Sequence, residues 1–181
     1  MNYFEHILQE QLKNKSGTEI KSIDAPSNEK AVDGSFNVFL AGTIDADKGS
    51  VDWQHKLINT IKGTNFGKSL TIYNPRRFGC PKNGSKEVEK QIRWEHAHMD
   101  DADLIIMNIL EDSLSPISLM EIGMYANSGK LVVFCKPEYY RYDNVRLVCE
   151  KYNIPLINSN DNNRIVKEIS KWIETITINK E

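Results

Sequence analysis

The sequence predicts an α/β fold: a parallel β-sheet with helices on both faces, a three-layer sandwich. Three observations point there. Short apolar runs alternate with longer helical stretches along most of the chain. The runs are apolar throughout, as in strands buried on both faces, and not alternately apolar and polar. The 181 residues, 40% apolar and 27% charged, are enough for one ordinary core with a well-solvated surface.

The elements follow in order. Residues 3–14 read as a short amphipathic helix, with Phe4, Ile7, Leu8 and Leu12 on one side. A polar stretch follows, marked by Ser16-Gly17 and Pro26-Ser27-Asn28. Within it, Glu19–Ile23 is either part of a loose arm or a strand added to a sheet edge. Phe36–Ala41 is an apolar strand ending at Gly42, Trp53–Ile61 a helix, and Leu70–Tyr73 a strand stopped by Asn74-Pro75. Val88–Asp101 is a helix and Leu104–Leu110 a buried strand. Pro116–Ser128 is a helix with Ser115 as N-cap, Pro116 at its first position and Gly129 at its end. Leu131–Cys135 is a strand, Asn144–Tyr152 a helix, Ile154–Ile157 a strand and Ile165–Ile178 a closing helix.

Composition removes several classes of function. A net charge of −2 gives no general pull toward nucleic acid or an anionic membrane. No apolar run reaches membrane-spanning length, and Met1–Lys15 lacks the order of a signal peptide. Cys80, Cys135 and Cys149 are odd in number and widely spaced, which suits small buried or surface residues in a reducing cytoplasm. His6 and His55 are isolated, and His96 and His98, two apart on a helix, face different ways. With no CxxC, HExxH, GxGxxG or Walker loop, neither a metal nor an organic cofactor is expected.

Parallel sheets bind ligands beyond the carboxyl ends of their strands. The loops there are Gly42-Thr43-Ile44, Asn74-Pro75-Arg76-Arg77 and Glu111–Ser115. Gly42 reads as a strand-ending turn or as a point of close backbone approach to a ligand. On the helix 88–101, Glu95 shares a stripe with Val88, Ile92, Met99 and Ala102. On the next helix, Glu121 shares one with Ile117, Met120 and Met124. One such glutamate is as readily a residue at the core edge, or one paired with an arginine. Two of them, on helices flanking the same strand, point to paired carboxylates that divide nucleophile and acid roles. Ser113, Ser115 and Ser118 crowd the start of the second helix, where free N–H groups attract anions. Simple capping is the other role for Ser115. Arg76 and Arg77 either orient a ligand or neutralise nearby glutamates.

The segments Asp24-Ala25-Pro26, Val38–Ile44, Asp52-Trp53-Gln54 and Asn74–Arg77, then Gln91-Ile92 with Trp94-Glu95, Ala102-Asp103 and Ser115–Gly123, resemble the nucleoside 2-deoxyribosyltransferase-like family. So do Gly129-Lys130, Arg141 and Asn144-Val145. The resemblance spans about Ile20 to Ile157. It implies a flavodoxin-like sheet, residues 20–181 as the catalytic domain and 1–19 as an N-terminal helical extension. It also implies a cytoplasmic homodimer or larger homo-oligomer whose sites are shared between subunits. The substrate would be a small nucleoside or nucleotide, with no nucleic-acid or membrane partner. By position, Glu121 matches the family nucleophile, Glu95 the acidic residue that handles the leaving base, and Asn144 the asparagine given by a neighbouring subunit. Gly42, Thr43, Ile44, Asn74, Arg76, Arg77, Ser113, Ser115 and Ser118 complete the expected substrate-binding set. Ser115 stands where well-characterised transferases carry an aspartate, and the serines there resemble the phosphate-binding arrangement of the monophosphate hydrolases. The activity the resemblance implies is therefore transfer of 2-deoxyribose between bases through a covalent deoxyribosyl–Glu121 intermediate; the alternatives are hydrolysis of deoxynucleoside 5′-monophosphates, a silent nucleotide-binding module, or cleavage of a larger nucleotide such as NAD.

Overall fold

A computed structural model of the chain describes residues 18–44, 51–77 and 84–178. The helix expected at 3–14, and Cys80, lie outside them. The described chain runs β1 (Ile20–Asp24), β2 (Phe36–Gly42), α1 (Trp53–Lys62), β3 (Leu70–Asn74), α2 (Lys86–Asp101), β4 (Leu104–Ile109) and α3 (Pro116–Tyr125). It continues through β5 (Leu131–Cys135), α4 (Tyr142–Tyr152), β6 (Leu156–Ile157) and α5 (Asn162–Ile178).

The strands form one six-stranded sheet in the order β1-β3-β2-β4-β5-β6, every pair parallel. From β2 onward this is the flavodoxin-like order, and β1 adds an outer strand beside β3. The expected edge strand is thus present, in place of a loose arm. Side chains alternate between two cores. Phe36, Val38 and Leu40 face α1 and α5, packing with Trp53, Leu57, Ile61, Ile165 and Ile169. Phe39 and Ala41 face α2, α3 and α4, packing with Trp94, Met99, Ile122, Tyr125, Val145 and Cys149. This makes a three-layer sandwich. After β2 the chain winds to β3 on one side and later to β4 on the other. The switch point, and with it the ligand crevice of such folds, lies beyond the carboxyl ends of β2 and β4.

Local chemistry adjusts the predicted ends. Ser85 caps α2 by accepting from the Val88 N–H at 3.4 Å, so the helix starts two residues early. Asp161 caps α5 through the Arg164 N–H at 3.0 Å. The last strand shrinks to Leu156–Ile157 because Asn153 closes α4 in the left-handed conformation and the Ile154 N–H turns back to the Cys149 carbonyl at 2.8 Å. Helix α3 ends at Tyr125, and a turn through Ser128 leads to Gly129 at φ 70°. No helix among the described residues is long and apolar enough to cross a membrane.

Candidate active site

The ends of β2 and β4 meet at Gly42, which pairs with Asn108. Its φ is 129°, and a Cβ there would sit 2.1 Å from the Asn108 carbonyl oxygen. The backbone of β4 by itself requires glycine at this position. Thr43 follows, buried, with its N–H on the Asn108 carbonyl at 3.0 Å.

The Thr43 hydroxyl forms a triangle with Ser113 at 2.9 Å and Ser115 at 2.7 Å, and the two serines are 2.7 Å apart. The Leu110 N–H donates to Thr43 Oγ1, and Ser113 Oγ donates to the Leu110 carbonyl. These contacts fasten the end of β2 to the β4–α3 turn. Ser115 takes a left-handed conformation (φ 42°) and its side chain does not cap α3, contrary to the expected cap, because its hydroxyl is held in the triangle. Ser118, one turn on, is buried.

Glu121 follows on the face of α3 that packs inward, together with Ser118, Ile122 and Tyr125. It is 8% exposed. The stripe in which the sequence reading placed it, Ile117, Met120 and Met124, faces outward instead, each at least half exposed. Helix α3 is apolar nearly all round, so periodicity could not choose between two adjacent stripes. A similar correction holds on α2. Ile92 is exposed, and the helix buries Trp94 and Met99. Glu95 is partly buried beside them.

The two carboxylates are electrically coupled. Burial pushes the Glu121 carboxyl up, and the charge of Glu95 raises it further, to about 8. Burial also raises Glu95, opposed by a hydrogen bond from Gln91 and by the charge of His96. Both carboxyls are thus pushed toward their protonated forms, with the large shift on Glu121.

The third loop has a largely structural part. Asn74 is fully buried, donating to Asp24 Oδ1 at 2.8 Å and accepting from the Arg76 N–H at 3.1 Å. These bonds brace β1 against β3. Arg76 lies 3.4 Å from Asp52 Oδ2 and 3.5 Å from Gln54 Oε1. Arg77 lies 3.4 Å from Gln91 Oε1. Neither arginine meets Glu95 or Glu121 in these contacts. Ile44 is exposed at the mouth.

Gln54, Trp53 and Gln91 were not among the expected site residues. Gln54 is fully buried, and its Nε2 lies 3.5 Å from the Thr43 carbonyl, which also accepts from Trp53 Nε1 at 2.9 Å. A buried glutamine at the start of α1, and a glutamine one turn before Glu95, were the available signals. Asn144 is exposed. It lies in a groove of about 320 Å³ between α3 and α4 with Leu119, Ile122 and Arg141, a groove that Glu121 does not line. It does not cap α4 either, since that helix starts at Tyr142. A second cavity, of about 770 Å³, opens on the α1/α5 side of Thr43 and Ser113, and neither glutamate lines it. Among the described residues no group of three or more His, Cys, Asp or Glu is placed to hold a metal ion.

The family profile described as "Nucleoside 2-deoxyribosyltransferase like" matches residues 35–139, from the start of β2 to beyond β5. The match takes in Glu95, Glu121 and the hydroxyl triangle, and stops short of Asn144. No curated protein matches the chain.

Proposed function

The chain belongs to the nucleoside 2-deoxyribosyltransferase-like family, and from that premise we propose that it cleaves the N-glycosidic bond of 2′-deoxynucleosides and passes the sugar to another base. The observation that carries this reading is the pair itself: a buried Glu121 whose carboxyl is raised by burial and by the charge of a neighbouring Glu95.

The chemistry follows from that pair. A carboxylate oxygen of Glu121 attacks C1′ while the C1′–N bond breaks and its electron pair leaves with the base. Glu95 gives the shared proton to the departing nitrogen. The resulting deoxyribosyl ester on Glu121 is opened by a nitrogen of a second base, which returns a proton to Glu95, and configuration is retained overall. Glu121 must be ionised to attack, so the proton that its raised carboxyl would hold passes to Glu95 first. Burial favours the charge-dispersed transition state over the localised charge of the Glu121 carboxylate. A 2-deoxy sugar suits the route, because no electron-withdrawing 2′-hydroxyl opposes the developing positive charge. Ile44, Ser118 and the arginine loop are the sugar and base contacts of this reading.

Hydrolysis of deoxynucleoside 5′-monophosphates is the second reading. What favours it is the start of α3, where Ser115 leaves the helix N–H groups uncapped and Ser118 lies one turn away. We also place the enzyme in the cytoplasm as a homodimer or larger homo-oligomer. Ile117, Met120 and Met124 form an exposed apolar stripe on α3, suited to a second copy. Asn144, in a groove that its own Glu121 does not line, would then serve a neighbour's.

The test is product analysis. Incubation with deoxynucleosides plus a second free base should yield the exchanged nucleoside by chromatography. Free deoxyribose irrespective of added base would replace transfer by hydrolysis. Free deoxyribose 5-phosphate from monophosphates alone would establish the second reading. No cleavage of any of these substrates would defeat both.

A further inference from the structure

Gln91 sits one turn before Glu95 on α2 and uses both hydrogens of its amide. Nε2 donates to the Pro75 carbonyl at 2.7 Å and to Glu95 Oε1 at 2.7 Å. Its Oε1 faces Arg77 at 3.4 Å. The orientation of the amide is forced. Pro75 offers only a carbonyl acceptor, and turning the amide over would set its oxygen against that carbonyl and against a carboxylate. Gln91 therefore ties Glu95 to the loop beyond β3, whereas no side-chain hydrogen bond comparably holds Glu121 among the described contacts.

We propose that Gln91 is a positioning residue for Glu95: it pins one carboxylate oxygen to the strand-end loop and so leaves the other to face the departing base. The proposal rests on the reading of Glu95 as the group that handles the base. It has an electrostatic consequence. A donated hydrogen bond stabilises the ionised form of Glu95, so the proton of the pair is kept on Glu121, and the nucleophile stays idle until a ligand engages Glu95. The other groups around the pair are His96 on the same helix, Arg77 from the loop, and Tyr125 beside Glu121 on α3.

Two substitutions test this with opposite signs. Gln91→Met keeps the length and removes the donor; Gln91→Lys keeps a donor and adds a positive charge. Carboxyl titrations followed by NMR on glutamate-labelled protein, with signals identified through Glu95→Gln and Glu121→Gln, need no turnover. Gln91→Met should raise the Glu95 midpoint by about one pH unit, and Gln91→Lys should lower it by a similar amount. Unchanged midpoints in both variants, or shifts of the same sign, would overturn the proposal. Should Gln91→Met fail to fold, Gln91→Ala takes its place, with the same upward shift expected and an unchanged midpoint counting against the proposal. If the titrations move as stated but no deoxynucleoside is cleaved, the positioning stands and the proposed reaction falls.

Discussion

At the scale of single residues, the paired glutamates carry two predictions. The first concerns Glu121. Replacing it with glutamine removes the nucleophile, so glycosidic cleavage should fall by several orders of magnitude; near-normal turnover in that variant would refute the mechanism. The same substitution should stabilise the protein, and the sign can be worked out. The folded-state carboxyl titrates near 8, above its ordinary value of 4.5. Stability linked to it is fully present below the unfolded value and is lost as pH rises through about 8. Glutamine carries no such penalty. Thermal unfolding should therefore show no gain for Glu121→Gln near pH 4 and a gain of a few kcal/mol, on the order of 1–4, near pH 9. The second prediction concerns the pair. Above about 8 both groups are ionised and no proton remains for the departing base, so the rate should fall on the alkaline side with a midpoint near 8. In Glu95→Gln that limb should vanish, with the lost rate greatest for poor leaving bases. A limb that persists unchanged in the variant would place the acid elsewhere.

At the scale of elements, the strands were the most legible part of the sequence, because continuous apolar runs bounded by Gly, Pro and Asn have one reading in an α/β chain. The helices were legible as helices but not in their rotation. Ile117, Met120 and Met124 look like a core stripe by spacing, yet they face outward while Ser118, Glu121, Ile122 and Tyr125 face in. In both stripes the spacing is i, i+3, i+4 or i+7, and only the position of the sheet decides between them. The two glutamates could therefore be singled out from sequence, but their real neighbours could not. Gln91 was hidden for a related reason: its importance lies in a bond to the Pro75 carbonyl, sixteen residues back, which no local pattern announces. Gly42 was visible as a glycine at a strand end, but the cause of its placement is the β4 backbone. Gly42→Ala should accordingly separate β2 from β4 and destabilise the fold by roughly 3 kcal/mol or more. Chemical denaturation checks this. A change below about 0.5 kcal/mol would mean that the two strand ends are not in such close approach.

At the scale of the whole molecule, the proposed shared site carries its own predictions. The sheet order puts the crevice beyond β2 and β4, with Glu95 and Glu121 on the same side of the sheet. Asn144 shares that side but lies in the α3–α4 groove, next to the exposed apolar stripe of α3. We propose that a second copy docks on that stripe with its Asn144 serving the first copy's site; isologous docking would repeat the arrangement on the other half. Charge on the stripe should then break the assembly. Met120→Glu is expected to yield monomers by light scattering and to lose activity although Glu121 and Glu95 are intact. Subunit mixing gives the sharper result. Glu121→Ala chains and Asn144→Ala chains should each be inactive. After exchange, a hybrid dimer holds one pocket with both changes and one pocket with neither, so activity should return, up to about a quarter of the wild-type level when half of the mixed dimers are hybrids. If each chain instead builds its whole pocket, every pocket in the mixture carries one damaged residue and no activity returns. Wild-type activity from a strictly monomeric protein would defeat the shared site outright.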